Sequence, residues 1–462
     1  MSGEIPLRAV EPPAQPAHQH YDAPYQAFIA ASLVLAIGGG FMLAILVPHA
    51  HAESSDLGGR VIGLQQAHGQ LQLLGFAGLF TMGMSMRLMP RFSGRPLPWP
   101  PLIRSIVPLM ASGLLLRWLA QSLGDGAWPA ALAVVSAGLA LAAAAAFAAI
   151  VWRMLLHPGS RGEATGWFFS LGALALLASA LLNAWIIIDA APDVSVLPFA
   201  RMQALNSLAQ YGFVMLFIGG VSTRAVPALT GHRRRDLASR AAATTLAVGA
   251  SLLTFGLLWA ERDGVSTANA RVADSGMIVI ALAFVAIVAL TGVFQPVANR
   301  VAAASQAQFW FVRAGMAWLL VAAVMLAWYG GGAFAGGELA DVFEMDAVRH
   351  AVGVGVITNM IVGMAMLVVP EFAGRRLQHP NERWLVVGML VVVNVAAVLR
   401  VWPAVEGVEW LEATRWWPMA TAGGFAEAAL IAFAFMFAQS WWEQRRPGWA
   451  SAEALAARRG PA

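Results

Sequence analysis

The chain has 462 residues, 59% of them hydrophobic and 12% charged, with a mean hydropathy of +0.66. A soluble domain carries about 25% charged residues, so a water-soluble globule is excluded. All 29 basic residues are Arg, grouped in a few connecting stretches, so the net charge of +4 does not mark nucleic acid as a partner. The absence of Cys excludes disulfides, iron–sulfur clusters, thiolate zinc sites and cysteine nucleophiles.

A membrane helix needs about 20 mostly apolar residues. Runs of that kind predict twelve spans, near 26–47, 68–90, 103–121, 128–152, 165–188, 203–227, 241–260, 276–295, 308–329, 349–370, 384–402 and 417–438. The expected fold is therefore an all-α polytopic membrane protein whose first partner is the lipid bilayer. Residues 1–25 form a polar, Pro-rich tail without the features of a cleaved signal, and 439–462 a second polar tail. Arg marks the cytoplasmic side. Arg91, Arg95, Arg233, Arg234, Arg235, Arg375, Arg376, Arg445 and Arg446 fall on one side and the acidic loops on the other. That asymmetry predicts both termini on the cytoplasmic side of the membrane.

The second, sixth and tenth spans share one pattern, G-x7-G-x6-P-x3-G. The copies are Gly75, Gly83, Pro90 and Gly94; Gly212, Gly220, Pro227 and Gly231; and Gly355, Gly363, Pro370 and Gly374. Single glycines and prolines are common in membrane helices. Three copies in register point further, to duplication of a four-helix unit over about 26–152, 165–295 and 308–438. The prolines are expected to end these helices at the interface.

Of nine His residues, only His68 and His350 fall at the starts of spans, on the second and tenth. Polar groups inside a membrane are costly and often functional, although an ordinary interfacial role explains each alone. At 3.6 residues per turn His68, Gln72, Gly75, Leu79, Met82 and Met86 share a face. Gly75 would leave room for something flat, and two imidazoles from two helices can ligate haem iron from opposite sides. A structural core reading of the Met stripe stays open. Arg349, Arg400 and Arg415 could pair with haem propionates or simply snorkel. His49 and His51, assigned to a loop after the first span, form a possible copper pair, and Glu427 on the last span a possible proton-path residue.

These motifs resemble those of the NnrS family, haem- and copper-containing membrane proteins of nitric-oxide metabolism. The first signature is carried by His68 with Gly75, Gly83, Pro90 and Gly94, the middle one by GGVSTRAVP from Gly219, and the late one begins at His350. Gln70 replaces a second His that the family often has, and Leu367 an Arg common in the late signature; these departures bear on copper more than on haem. The twelve-helix plan also resembles haem–copper oxidase catalytic subunits, whose low-spin haem is held by His on helices 2 and 10. The further His residues such enzymes need on helices 6, 7 and 10 are absent from this sequence. The resemblance thus implies a b-type haem on His68 and His350, with nitric oxide or a redox partner as the other participant, and leaves open whether the chain is an enzyme. The competing expectation is a haem-free transporter or a structural subunit of a membrane complex.

Overall fold

The structure, a computed structural model, describes residues 24–57, 59–155, 163–295, 305–368, 380–405 and 414–444. Twelve helices and no strand run through the described residues. They are α1 (Pro24–Ala52), α2 (61–93), α3 (Pro100–Leu123), α4 (Ala127–Leu155), α5 (Ala164–Ala190) and α6 (Phe199–Thr230). The second half comprises α7 (Asp236–Asp263), α8 (Thr267–Thr291), α9 (Gln306–Gly336), α10 (Val342–Leu367), α11 (Pro380–Val401) and α12 (Trp416–Gln444). Eleven are long and apolar enough to cross a membrane. The other is α2, whose first turns carry Gln65, Gln66, His68, Gln70 and Gln72 and whose last carry Arg87 and Arg91. The chain is a multi-pass membrane protein.

Several helices extend beyond their apolar runs, because a hydropathy scan stops where polar first turns begin. Helix α10 starts at Val342 under a capping box: Asp341 Oδ1 accepts from Phe343 N at 2.7 Å, and Glu344 Oε2 accepts from Asp341 N at 2.9 Å. His350 therefore lies two turns inside its helix, not at its start, and so does His68. Helix α1 runs on to Ala52, so His49 and His51 sit on its last turns and not in a loop. Helix α1 is described from Pro24 and α12 as far as Gln444; residues 1–23 and 445–462, most of both expected tails, lie outside the described residues.

Pro90 and Pro227 do not end their helices. Pro90 and Pro227 sit in the last turn, and the chain leaves the helix at Gly94 and Gly231, whose φ angles are +66° and +72°. Positive φ is open to glycine without the steric cost a Cβ imposes. Pro370 and Gly374 lie outside the described residues.

The second motif glycine has one role in all three copies. A Cβ on Gly83 would stand 2.7 Å from Phe28 Cβ of α1, one on Gly220 2.8 Å from Phe168 Cβ of α5, and one on Gly363 2.6 Å from Phe311 Cβ of α9. Each glycine lets the helix before it pack backbone-close, with a buried Phe lying across the gap. The first motif glycine also has a common setting. Gly75, Gly212 and Gly355 each lie within a π segment, Leu71–Gly78, Leu208–Val214 and Ala351–Thr358. A fourth such segment, Ala36–Phe41, interrupts α1. Past the π segments, α2, α6 and α10 converge on an apolar cavity bordered by Phe80, Met84, Phe217, Ser222, Met360 and Met364.

Overpacking a tight interior contact costs about 1–3 kcal/mol. Gly83→Ala and Gly363→Ala are each expected to lower the melting temperature in detergent, whereas Gly138→Ala, with nothing within 4 Å of a new Cβ, leaves it unchanged.

Candidate functional site

Helices α2 and α10 bring His68 and His350 together. Their rings are parallel within 7°, with centroids 6.5 Å apart, too far to stack. Each ring is oriented through Nδ1: His68 Nδ1 lies 2.8 Å from the Gly40 carbonyl of α1, and His350 Nδ1 2.8 Å from the Asp346 carbonyl one turn back. Carbonyls only accept, so Nδ1 carries the proton on both rings and the lone pair resides on Nε2. Neither Nε2 makes a hydrogen bond among the described residues. Both rings stay partly exposed, the His350 side chain at 20%.

Backbone geometry sets this up. The Gly40 carbonyl belongs to the π segment Ala36–Phe41, a wider turn in which the carbonyl register shifts. Gly40 also faces the Gln72 side-chain amide, 2.9 Å from where a Cβ would stand, so α1 and α2 close together directly beside His68.

On α10 the sequence DAVRH places Asp346, Arg349 and His350 at i, i+3 and i+4, hence on one face. Asp346 Oδ2 accepts from Arg400 Nη2 of α11 at 2.7 Å, and Oδ1 lies 3.4 Å from Arg349 Nη2 and 3.3 Å from His350 Nδ1. The single carboxylate faces two guanidinium groups. Arg349 Nη1 and Arg400 Nη1 are both buried without a hydrogen-bond partner. Unpaired buried donors are rare and costly, and two on neighbouring Arg residues leave positive charge for a further acidic group to meet.

The other expected residues lie elsewhere. Arg415 covers the ring of Phe343 at 4.3 Å, at the start of α10. Gly75 opens toward Leu35 of α1 and Leu114 of α3, each 3.4 Å from a Cβ position, and not toward His350. The π segment supplies the reason, because its extra residue breaks the 3.6-residue phase between His68 and Gly75. His49 and His51 do not converge. Two residues apart on a helix they point about 200° apart; His49 packs on Trp417 and lies 3.4 Å from Glu53, while His51 stacks on Trp416 at 4.4 Å. Among the described residues no group of three or more metal-binding side chains occurs, and this His pair does not fit a copper ion as folded. Glu427 is half-buried on α12.

Asp346, Gly40 and Gln210 are the residues that sequence reasoning missed. Asp346 had a signal in its spacing to Arg349 and His350, hidden because the segment reads as an acidic loop. Gln210 Nε2 of α6 donates to the Arg349 carbonyl at 2.8 Å. A second buried network surrounds Arg117, 3% exposed, whose nitrogens reach Gln121 Oε1 at 3.0 Å, Asn183 Oδ1 at 3.3 Å and Met202 Sδ at 3.9 Å.

The family model for NnrS protein matches residues 164–445, more than half of the chain. The chain belongs to the NnrS family. His350, Arg349, Arg400 and Asp346 fall within the matched residues, whereas His68 and Gly40 precede them. No curated protein matches the sequence. Among solved structures, one reported as a heme-copper terminal oxidase dimer superposes with a TM-score of 0.65 at 11% identity, over 93% of this chain and 85% of that one. At that identity the likeness is one of fold.

A metal with an imidazole on either side has bonds of about 2 Å. Adding about 1.1 Å from each nitrogen to its ring centre separates the centroids by about 6.3 Å, close to the 6.5 Å found here. The donor set, two imidazoles with free Nε2 lone pairs and two unpaired guanidinium nitrogens, suits a haem, which offers both a metal and acidic side chains. If Asp346 organises the cluster, Asp346→Asn leaves two buried cations without their anion, a change that costs about 3–5 kcal/mol for a broken buried pair. A double-mutant cycle of Asp346→Asn with Arg400→Met, read by thermal unfolding, is expected to give a coupling of about 0.5–3 kcal/mol.

Proposed function

We propose that this NnrS-family protein holds one b-type haem between α2 and α10, with His68 and His350 as its axial ligands, and serves membrane electron transfer or the nitric-oxide response. The observation that carries this reading is the parallel imidazole pair, anchored through both Nδ1 atoms and spaced for one metal between them. A hydrogen bond from Nδ1 to a carbonyl is the usual support of a metal-bound imidazole: it fixes the tautomer and raises the basicity of Nε2.

The remaining roles follow from position. Asp346 holds His350 and gathers Arg349 and Arg400, whose spare donors would meet the propionates. Gly40 holds His68 from a third helix. Bound haem would supply a one-electron couple. If both imidazoles held the iron, electron transfer would be favoured over binding of a gas. The lack of further His on α6, α7 and α10 argues against oxygen reduction of the haem–copper type. Both termini inside a bacterial inner membrane is the orientation that the Arg distribution favours.

A pyridine haemochrome assay and an optical spectrum of the purified full chain test this. The wild type should carry b-type haem with a low-spin, six-coordinate spectrum. His68→Ala and His350→Ala should each lose the haem or convert it to a five-coordinate form. Unchanged haem content and spectrum in both variants would falsify the assignment, and transport by haem-free protein in liposomes would favour a carrier instead.

A further inference from the structure

The imidazole pair leaves a second set of buried polar groups unexplained. Gln203, Ser207 and Gln210 of α6 are 7%, 0% and 1% exposed. Each carries a buried oxygen with no hydrogen-bond partner: Gln203 Oε1, Ser207 Oγ and Gln210 Oε1. Gln203 and Ser207 lie one α-helical turn apart on one face, and Gln210 follows within the π segment Leu208–Val214, where that period no longer holds. The three are bracketed by known contacts. Asn206 Oδ1 accepts from Gln70 Nε2 of α2 at 3.3 Å, and Gln210 Nε2 bonds the Arg349 carbonyl of α10. The stripe therefore descends from the Phe199 end of α6 and arrives at Arg349, next to His350, where Nη1 is a buried donor without a partner.

Nothing about a membrane helix requires such a stripe. The hydroxyls of Ser85, Thr223 and Thr254 donate to carbonyls four residues back at 2.7, 2.8 and 2.8 Å; Ser207 makes no such bond. A buried acceptor left unmet costs about 1–3 kcal/mol, and three of them on one helix is a costly arrangement for a surface that only packs. Water both donates and accepts, and a buried water makes about three hydrogen bonds to groups of this kind. The Gln203 and Ser207 positions, four residues apart, are separated by about 6 Å along the axis, a gap one water spans with two bonds of about 2.8 Å.

We propose that the side chains of Gln203, Ser207 and Gln210 of α6 line a hydrated path that brings water and protons from the Phe199 end of the bundle to Arg349 and His350. The path stands on the placement of these side chains and is independent of whether haem binds.

The chain contains no Cys, so one introduced thiol is the only thiol. Gln203→Cys, Ser207→Cys and Gln210→Cys would be compared with Ala204→Cys and Ala209→Cys, whose native residues are equally buried on other faces of α6. The full chain in lipid nanodiscs is exposed to silver ion, a small cation that reaches a thiolate only through water. Thiols left unreacted are then counted with a fluorescent maleimide after unfolding, using only variants that elute as the wild type does. A dry surround raises a thiol's pKa, and each unit removes about tenfold of thiolate. The three stripe positions are expected to react at least about tenfold faster than the two controls. Equal rates at all five positions overturn the proposal. Adding Ser207→Val should slow the reaction of Gln210→Cys while sparing that of Gln203→Cys; no slowing overturns the continuity of the path.

Discussion

The hydrogen bond between His68 Nδ1 and the Gly40 carbonyl ties a side chain of one membrane helix to the backbone of another. In lipid every backbone polar group needs a partner within the protein, and a carbonyl in a turn of irregular register is more open to a donor from a neighbouring helix. The π segment Ala36–Phe41 provides that turn. The same constraint recurs along the bundle, with π segments in α2, α6 and α10 at the first glycine of each motif copy. Around His68 these wider turns decide which residues face the interior and which face the neighbouring helices.

Charge is arranged by the same economy. One carboxylate, Asp346, serves His350, Arg349 and Arg400 within 3.4 Å. Buried ion pairs are weak evidence for stability but strong determinants of position, because removing either partner strands the other in a low dielectric. The cluster fixes the His350 ring from behind and leaves two guanidinium nitrogens turned to other acceptors. Arg117 presents a contrast on α3, a buried cation bonded to neutral amides and a thioether. The two halves of the bundle therefore treat a similar residue differently, and among the described residues the α10 side gathers an acid, an imidazole and two guanidinium groups at one place.

The helix count, the motif helices and the two histidines were legible in the sequence, since apolar runs, glycine spacing and the scarcity of interior polar residues are all one-dimensional signals. The helix ends were less so. Polar first turns, VFEMDAVRH among them, do not register as membrane-spanning, and that hid Asp346 inside what read as an acidic loop. The face assigned to Gly75 failed for a different reason. Periodic projection assumes 3.6 residues per turn, and the π segment at Leu71–Gly78 breaks that count and turns Gly75 toward α1 and α3.

The sequence by itself determined an all-α membrane protein with three matched glycine–proline helices and a His on two of them. It did so because burial in lipid restricts composition at every position. The tertiary structure alone decided that those two rings lie parallel, that their Nδ1 atoms are held by carbonyls from α1 and α10, and that His49 and His51 face apart. Contacts between residues as far apart in the chain as 68 and 350 depend on helix register and local widening of the turn, which no local pattern of residue types encodes.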